Sequence, residues 1–287
     1  MGLQSELELL KAVPVARDID GKPWHMPIEG QHAFVVGRTG SGKNSITWSL
    51  VLRLAPAWKV GLVRYWGIDP KRIELAIGRG WWDYYADTDE GMVELLEQCV
   101  EDMQERMTHM QGIQRRFVPS VGTPLNVIII DEMAYLSVYM PDKKLRERAD
   151  KAVRTILTQG RAPGYAVVAA IQDPRVESCG YRNLFPLRIA GGLNEVRQVD
   201  MVLGEGMHEA GAYCERIPLG TAGAGVAYVL DAEHMMKPLL VRAPWCDDAV
   251  IQRVLMQTGK RTVSTGNQTK DEDLSNQQGW IYQALQQ

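Results

Sequence analysis

Residues 37–45 read Gly-Arg-Thr-Gly-Ser-Gly-Lys-Asn-Ser, a glycine-rich turn that closes on a lysine. Glycines at this spacing let backbone N–H groups wrap a phosphate, and a helix starting at the lysine adds positive potential there. The lysine itself reaches the β and γ phosphates of a nucleotide. Gly37, Arg38, Thr39, Gly40, Ser41, Gly42, Lys43, Asn44 and Ser45 are therefore the candidate ATP-binding residues, with Mg²⁺ as the accompanying ion. The position after the lysine ordinarily supplies a Ser or Thr hydroxyl to that ion, and here it is Asn44. Either its amide oxygen or a water takes the place of the hydroxyl. Ser45 lies about 100° further round the helix, away from the ion. A loop that binds nucleotide without efficient turnover is the reading this substitution leaves open.

A second acidic element follows the apolar run at 125–130, which ends in Asp131 and Glu132. A buried parallel strand of this kind delivers its terminal carboxylates beside the phosphate loop. Asp131 is the candidate metal-side carboxylate, together with Asn44. Glu132 is placed to polarise the attacking water, a general-base role that needs a carboxylate within one water of the γ-phosphate. Gln172, at the end of the apolar run 165–171, is either a contact to the γ-phosphate or lytic water, or a plain strand-end hydrogen bond. Arg161, in Gln159-Gly-Arg-Ala-Pro-Gly164, is either a helix C-terminal cation or a guanidinium that stabilises transition-state charge in a neighbouring subunit.

These residues need a scaffold, and the alternation of apolar runs with helical patterns from 31 to about 254 predicts an α/β domain with a mainly parallel central sheet flanked by helices. Strands are expected at 33–36, 60–68, 126–130, 165–171, 187–190, 226–230 and 239–242, and helices at 43–54, 70–77, 90–114, 144–159 and 195–203. Leu3, Leu7 and Leu10 predict a short amphipathic helix in a lead-in covering 1–30, ahead of an ATPase domain at 31–255. Residues 256–287 are polar and nearly free of apolar periodicity, the composition of a flexible tail, although the last eight residues could form a small docking helix.

Composition narrows the function. The 287 residues are 45% hydrophobic and 23% charged, which excludes disorder as the main state. A net charge of -3 removes any global positive field, so a basic surface has to be local. No apolar run reaches the roughly 18 residues of a membrane helix, and the N-terminus lacks the pattern of a secretory signal. Four scattered cysteines without a CxxC pair fit free thiols, and five scattered histidines argue against a structural zinc site. A cytoplasmic location is expected, with room for membrane association through a partner.

In this order the motifs resemble the motor domain of the FtsK/SpoIIIE family of DNA translocases over roughly residues 31–254. Beyond the phosphate loop and the acidic strand, Asp69-Pro-Lys71 with Glu74-Leu75, Gln159–Gly164, Gln172-Asp-Pro174 and Phe185-Pro-Leu-Arg188-Ile189 are each similar to a segment of that family. The subgroup it looks most like is the transfer proteins of conjugative plasmids and integrative elements. The resemblance implies a RecA-like P-loop NTPase fold and a homohexameric ring that threads double-stranded DNA while hydrolysing ATP at subunit interfaces. It leaves conjugation, segregation and other transport undecided.

Contacts to DNA would come from basic loops facing the ring pore. Lys143, Lys144 and Arg146 form the leading candidate run, whose plain alternative is a solvated helix face, and Arg115-Arg116 is a weaker one. Asp69-Pro70 reads as a helix start, with Lys71 structural or interfacial. Trp81, Trp82, Tyr84 and Tyr85 read as core or subunit packing. Two alternatives to the translocase stand: an assembly or scaffold protein with weak turnover, and a secretion-type coupling ATPase acting on single-stranded DNA or protein.

Overall fold

Apolar residues on every position of a short run, as in Val127-Ile-Ile-Ile130, fit a strand covered on both faces, which is a central strand of a parallel sheet. The computed structural model describes residues 3–174 and 178–259 and builds the chain around such strands. Helix α1 (Leu3–Lys11) leads into β1 (Val13–Asp18) and β2 (Pro23–Met26). There follow β3 (Ala33–Val36), α2 (Lys43–Arg53), α3 (Ala55–Lys59), β4 (Val63–Ile68), β5 (Tyr84–Ala86) and α4 (Asp89–Met110). The second half runs β6 (Leu125–Ile130), α5 (Lys143–Gln159), β7 (Tyr165–Ile171), β8 (Leu187–Ala190), α6 (Val196–Leu203), β9 (Val226–Asp231), β10 (Leu239–Arg242) and α7 (Asp248–Thr258).

All ten strands form one sheet in the order β2-β1-β10-β9-β8-β3-β7-β6-β4-β5. The six strands from β8 to β5 are mutually parallel, and β9, β10, β1 and β2 extend the sheet with antiparallel pairings. Alternate residues of each central strand serve opposite faces. Val35, Val127, Ile129 and Val168 join Ile46, Leu50, Leu54 and Trp58 under α2 and α3. Phe34, Ile128, Ile130 and Val167 join Leu96, Met103, Val153 and Ile156 under α4 and α5. The α/β expectation with a mainly parallel sheet holds, and β7 lies between β3 and β6.

Several local expectations are corrected. No α-helix forms at 70–77. Asp69 is fully buried and its Oδ2 accepts hydrogen bonds from Leu75 N, Ala76 N and the Tyr85 hydroxyl, so the chain turns back as a loop and re-enters helix only as a 3-10 turn, Ala76–Trp81. Arg72 takes a left-handed φ of 61° within this turn. The lead-in supplies β1 and β2 to the same sheet, and its Leu10, Val13, Val15, Met26 and Ile28 are core residues. The four-residue β2 begins at Pro23 and lies on an edge, where a missing N–H costs little. Helix α7 continues to Thr258, past the expected boundary at 255. The expected tail otherwise falls at 260–287, outside the described residues. Trp81 is buried against Trp58, and Trp82 leans on Trp48 and Tyr65, so these aromatics pack the core.

Candidate active site

Register decides which side chains meet. Val36 is level with Ile171 and Ala190, and Ile130 with Ile68 and Ala169. Gly37, Gln172, Asp131 and Asp69 therefore all leave the sheet at its C-terminal edge, where open α/β sheets bind their ligands.

The phosphate loop is held there from below. Gly37 N donates to Ile171 O, and Gly225 N donates to Ser41 O. Gly42 has φ of +77°, and a Cβ at this position would lie 2.2 Å from Gly225 N and 2.9 Å from the carbonyl carbon of Ala224. No other residue fits without moving the loop. Arg38, expected among the nucleotide contacts, also anchors the loop: its guanidinium donates to Leu193 O (3.1 Å) and Ile217 O (2.7 Å), and its own N–H donates to Gly192 O.

A cleft of about 650 Å³ opens over this loop, lined by residues 38–45, Glu74, Gln172 and the 245–249 segment. Thr39 Oγ1 lies 3.5 Å from Gln172 Oε1, which brings the strand-end glutamine to the phosphate loop. Lys43 is buried, its pKa lowered by desolvation, an effect that Asp131 opposes. The Asp131 carboxyl is pushed up to about 6 by burial, against the pull of Lys43 and Lys71. Lys71, expected to be structural or interfacial, reaches into this group: its Nζ is 3.2 Å from Glu132 Oε2 and 4.0 Å from Asp131 Oδ2. In the sequence that role is signalled only by its place two residues after the strand-end Asp69 and by the likeness of Asp69-Pro-Lys71 to a family segment.

Two buried carboxylate oxygens, Asp131 Oδ2 and Glu132 Oε1, have no hydrogen-bond partner. Such orphaned acceptors beside a phosphate loop are what a hydrated Mg²⁺ and a lytic water would satisfy. The residues fit the ion: Asp131 and Asn44 would hold it, and bound there it would neutralise charge on the β and γ phosphates. Among the described residues no three His, Cys, Asp or Glu side chains converge as a metal cage.

Arg161 does not reach the cleft of its own chain. It precedes β7 and so sits at the opposite edge of the sheet, about 20 Å away along a seven-residue strand. Its Nε donates to Gly30 O at 2.7 Å, and Nη1 and Nη2 form a fork onto the Glu233 carboxylate at 2.8 and 2.9 Å. Through these bonds Arg161 ties the start of β7 to the lead-in and to the end of β9. Arg161→Ala should lower stability by about 1–2 kcal/mol, the worth of charge-assisted bonds at a half-exposed site. If these bonds are its whole role, ATP turnover per folded molecule should change less than about twofold in a steady-state assay, whereas a loss of about a hundredfold would support the expected action in a neighbouring subunit.

Lys143 and Lys144 open α5 on the same sheet edge as the cleft, since α5 follows β6 and returns to begin β7. Lys143 is exposed and 3.7 Å from Glu147. Arg146 instead donates to Met140 O at 2.8 Å and fastens the π-helical turn Tyr135–Tyr139 to α5.

Comparison with known proteins agrees with this geometry. The FtsK/SpoIIIE family model matches residues 8–122. The chain is similar to the DNA translocase FtsK of Staphylococcus aureus, 27% identical over 220 residues that cover 68% of this chain and 27% of that protein. It thus spans about a quarter of the length of that relative. Its fold is similar to the pCW3 conjugation coupling protein TcpA with ATPγS, at a TM-score of 0.71, 18% identity, and coverage of 90% of this chain and 73% of that one. It is also similar to the cytoplasmic domain of the Type VII secretion ATPase EccC of Thermomonospora curvata, at a TM-score of 0.67, 20% identity, and coverage of 91% and 32%. Phosphate loop, paired carboxylates and sheet order together make this chain a P-loop ATPase domain, similar to the FtsK/SpoIIIE family in the part that the family model matches.

Proposed function

We propose that this domain hydrolyses ATP with Mg²⁺ to drive double-stranded DNA through a homohexameric ring, acting in the cytoplasm in conjugative transfer or a related DNA-transport process. The observation that carries the reading is the meeting of Lys43, Asp131, Glu132 and Gln172 at one sheet edge in a chain of FtsK type. Likeness to a relative described as a DNA translocase supports duplex DNA as the substrate. The fold's likeness to a conjugation coupling protein is in keeping with transfer as the process.

In the proposed reaction the loop's N–H groups and Lys43 hold the triphosphate, and Glu132 takes the proton of a water attacking the γ-phosphate. Gln172 holds that water or a γ-oxygen in place. Lys71 pairs with Glu132 and steadies its carboxylate before nucleotide enters. No helix among the described residues is long and apolar enough to cross a membrane.

Steady-state ATPase at low salt, without DNA, with duplex and with single strands, tests the reading, with Lys43→Ala as blank. Stimulation by duplex that the blank lacks is expected. Stimulation by single strands alone would favour the coupling-ATPase alternative, and nucleotide binding without turnover the scaffold. For the surface role, K143E and K144E should each lower the salt slope of duplex binding by about one. An unchanged slope removes them from the DNA path.

A further inference from the structure

The residue after the phosphate-loop lysine is an asparagine, and the structure shows what it touches: Asn44 Nδ2 donates a hydrogen bond to Glu74 Oε2. A carboxylate only accepts, so the face of the amide turned to Glu74 must be its NH₂. The hydrogen-bond chemistry thereby fixes the amide's orientation, and Oδ1 faces the other way. Asn44 and Glu74 both line the cleft over the phosphate loop.

Glu74 is itself held. It stands one residue before Leu75, whose N–H bonds the buried Asp69 carboxylate, and that carboxylate also ties down Ala76 and Tyr85. The loop from Asp69 to Leu75 is thus pinned at both ends, with Lys71 against Glu132 and Glu74 against Asn44.

We propose that Glu74 is a positioning residue that grips the Asn44 amide by its NH₂ and so presents Oδ1 to the nucleotide's divalent cation, in place of the hydroxyl that Ser or Thr supplies at this position. The inference rests on the ATPase reading of the site. A hydroxyl rotates freely and can serve as ligand without help. An amide has one oxygen and one nitrogen on a planar group, and turned the wrong way it offers the cation N–H dipoles. Asparagine at this position therefore needs a partner that fixes its flip, and an acceptor-only side chain is the simplest one. A consequence runs against intuition: restoring serine alone leaves the Glu74 carboxylate without its donor and is not a repair.

The test measures the Mg²⁺ dependence of binding of a fluorescent ATP analogue, with Mn²⁺ binding in the presence of nucleotide followed by electron paramagnetic resonance. The proteins are the wild type, E74A, E74Q, N44S, N44S/E74A and Lys43→Ala, each checked for unchanged thermal melting. E74A should raise the Mg²⁺ and Mn²⁺ concentrations needed for half-saturation about tenfold while leaving nucleotide affinity in EDTA unchanged. E74Q should fall between wild type and E74A, because its amide can accept from Asn44 Nδ2 but can also flip and donate to Oδ1. In the N44S background, E74A should have no adverse effect, since a hydroxyl needs no orienting. The proposal is overturned if E74A leaves the metal dependence unchanged, if E74Q is more impaired than E74A, or if E74A does equal damage in the N44S background. A wild type that binds the analogue no better than Lys43→Ala, even in EDTA, would overturn the ATPase reading itself and this inference with it.

Discussion

Glu132→Gln should leave ATP binding within about twofold of wild type and lower hydrolysis by at least about a hundredfold. Glu132 is 8% exposed at the C-terminal edge of the sheet, one residue after Asp131, and its Oε1 is buried without a partner. Glutamine keeps the shape and the acceptor oxygen but cannot take a proton. General-base catalysis of this kind contributes on the order of 10²–10⁴ in rate. Binding should survive because the triphosphate is held by the loop and Lys43. A bound state that turns over slowly is the expected phenotype, read by single-turnover hydrolysis beside equilibrium binding of a nucleotide analogue. Wild-type turnover in E132Q would mean that no base at this position is needed and that orienting the water suffices, a task open to Gln172, whose Oε1 lies beside Thr39. Loss of binding would instead mean that the Lys71–Glu132 ion pair props the cleft open, since glutamine cannot sustain that pair at 3.2 Å with the same strength.

The parts of this site that could be read from the sequence are those specified locally. A strand that is apolar at every position from Val127 to Ile130 must be central, so the two carboxylates following it must emerge at the ligand edge. Glycines at 37, 40 and 42 before Lys43 specify the loop by backbone geometry, and Gly42 meets Gly225 where no side chain has room. What failed to show was specified across distance. Asp69-Pro70 has the local form of a helix start, but the Asp69 carboxylate is taken up by Leu75, Ala76 and Tyr85, a choice settled only once β5 pairs with β4. Arg161 looked like a free cation because Glu233, its partner, is 72 residues away. Lys71 and Glu74 entered the site for the same reason: the loop that carries them is folded by a buried carboxylate, and no periodicity announces it.

Asp131→Asn should make the nucleotide-free protein more stable above pH 6 while removing its metal-dependent binding of ATP. The Asp131 carboxyl, 4% exposed, is raised from 3.8 to about 6, chiefly by burial, with Lys43 and Lys71 offsetting only part of it. A raised carboxyl pKa means the folded state holds the proton more tightly than the unfolded chain does. Between about pH 4 and pH 6 the native state therefore binds more protons, and stability falls as pH rises through that window. Above it the full cost stands, roughly 3 kcal/mol at 1.36 kcal/mol per pKa unit. Asparagine carries no charge to desolvate, so melting at pH 8 should rise by several degrees for a chain of this size. The two proteins should converge near pH 4, where wild-type Asp131 is neutral as well. Thermal melting from pH 4 to 8 without nucleotide measures this directly. A variant less stable than wild type at every pH would show that Lys43 and Lys71 outweigh burial, and that the charge at Asp131 holds the fold together. The expected result has the opposite meaning: the buried Asp131 oxygen, without a hydrogen bond and only partly offset by Lys43 and Lys71, is a standing cost of the folded protein, relieved when a cation arrives with the nucleotide. Nucleotide and Mg²⁺ should then stabilise the wild type against heat and leave D131N nearly unmoved.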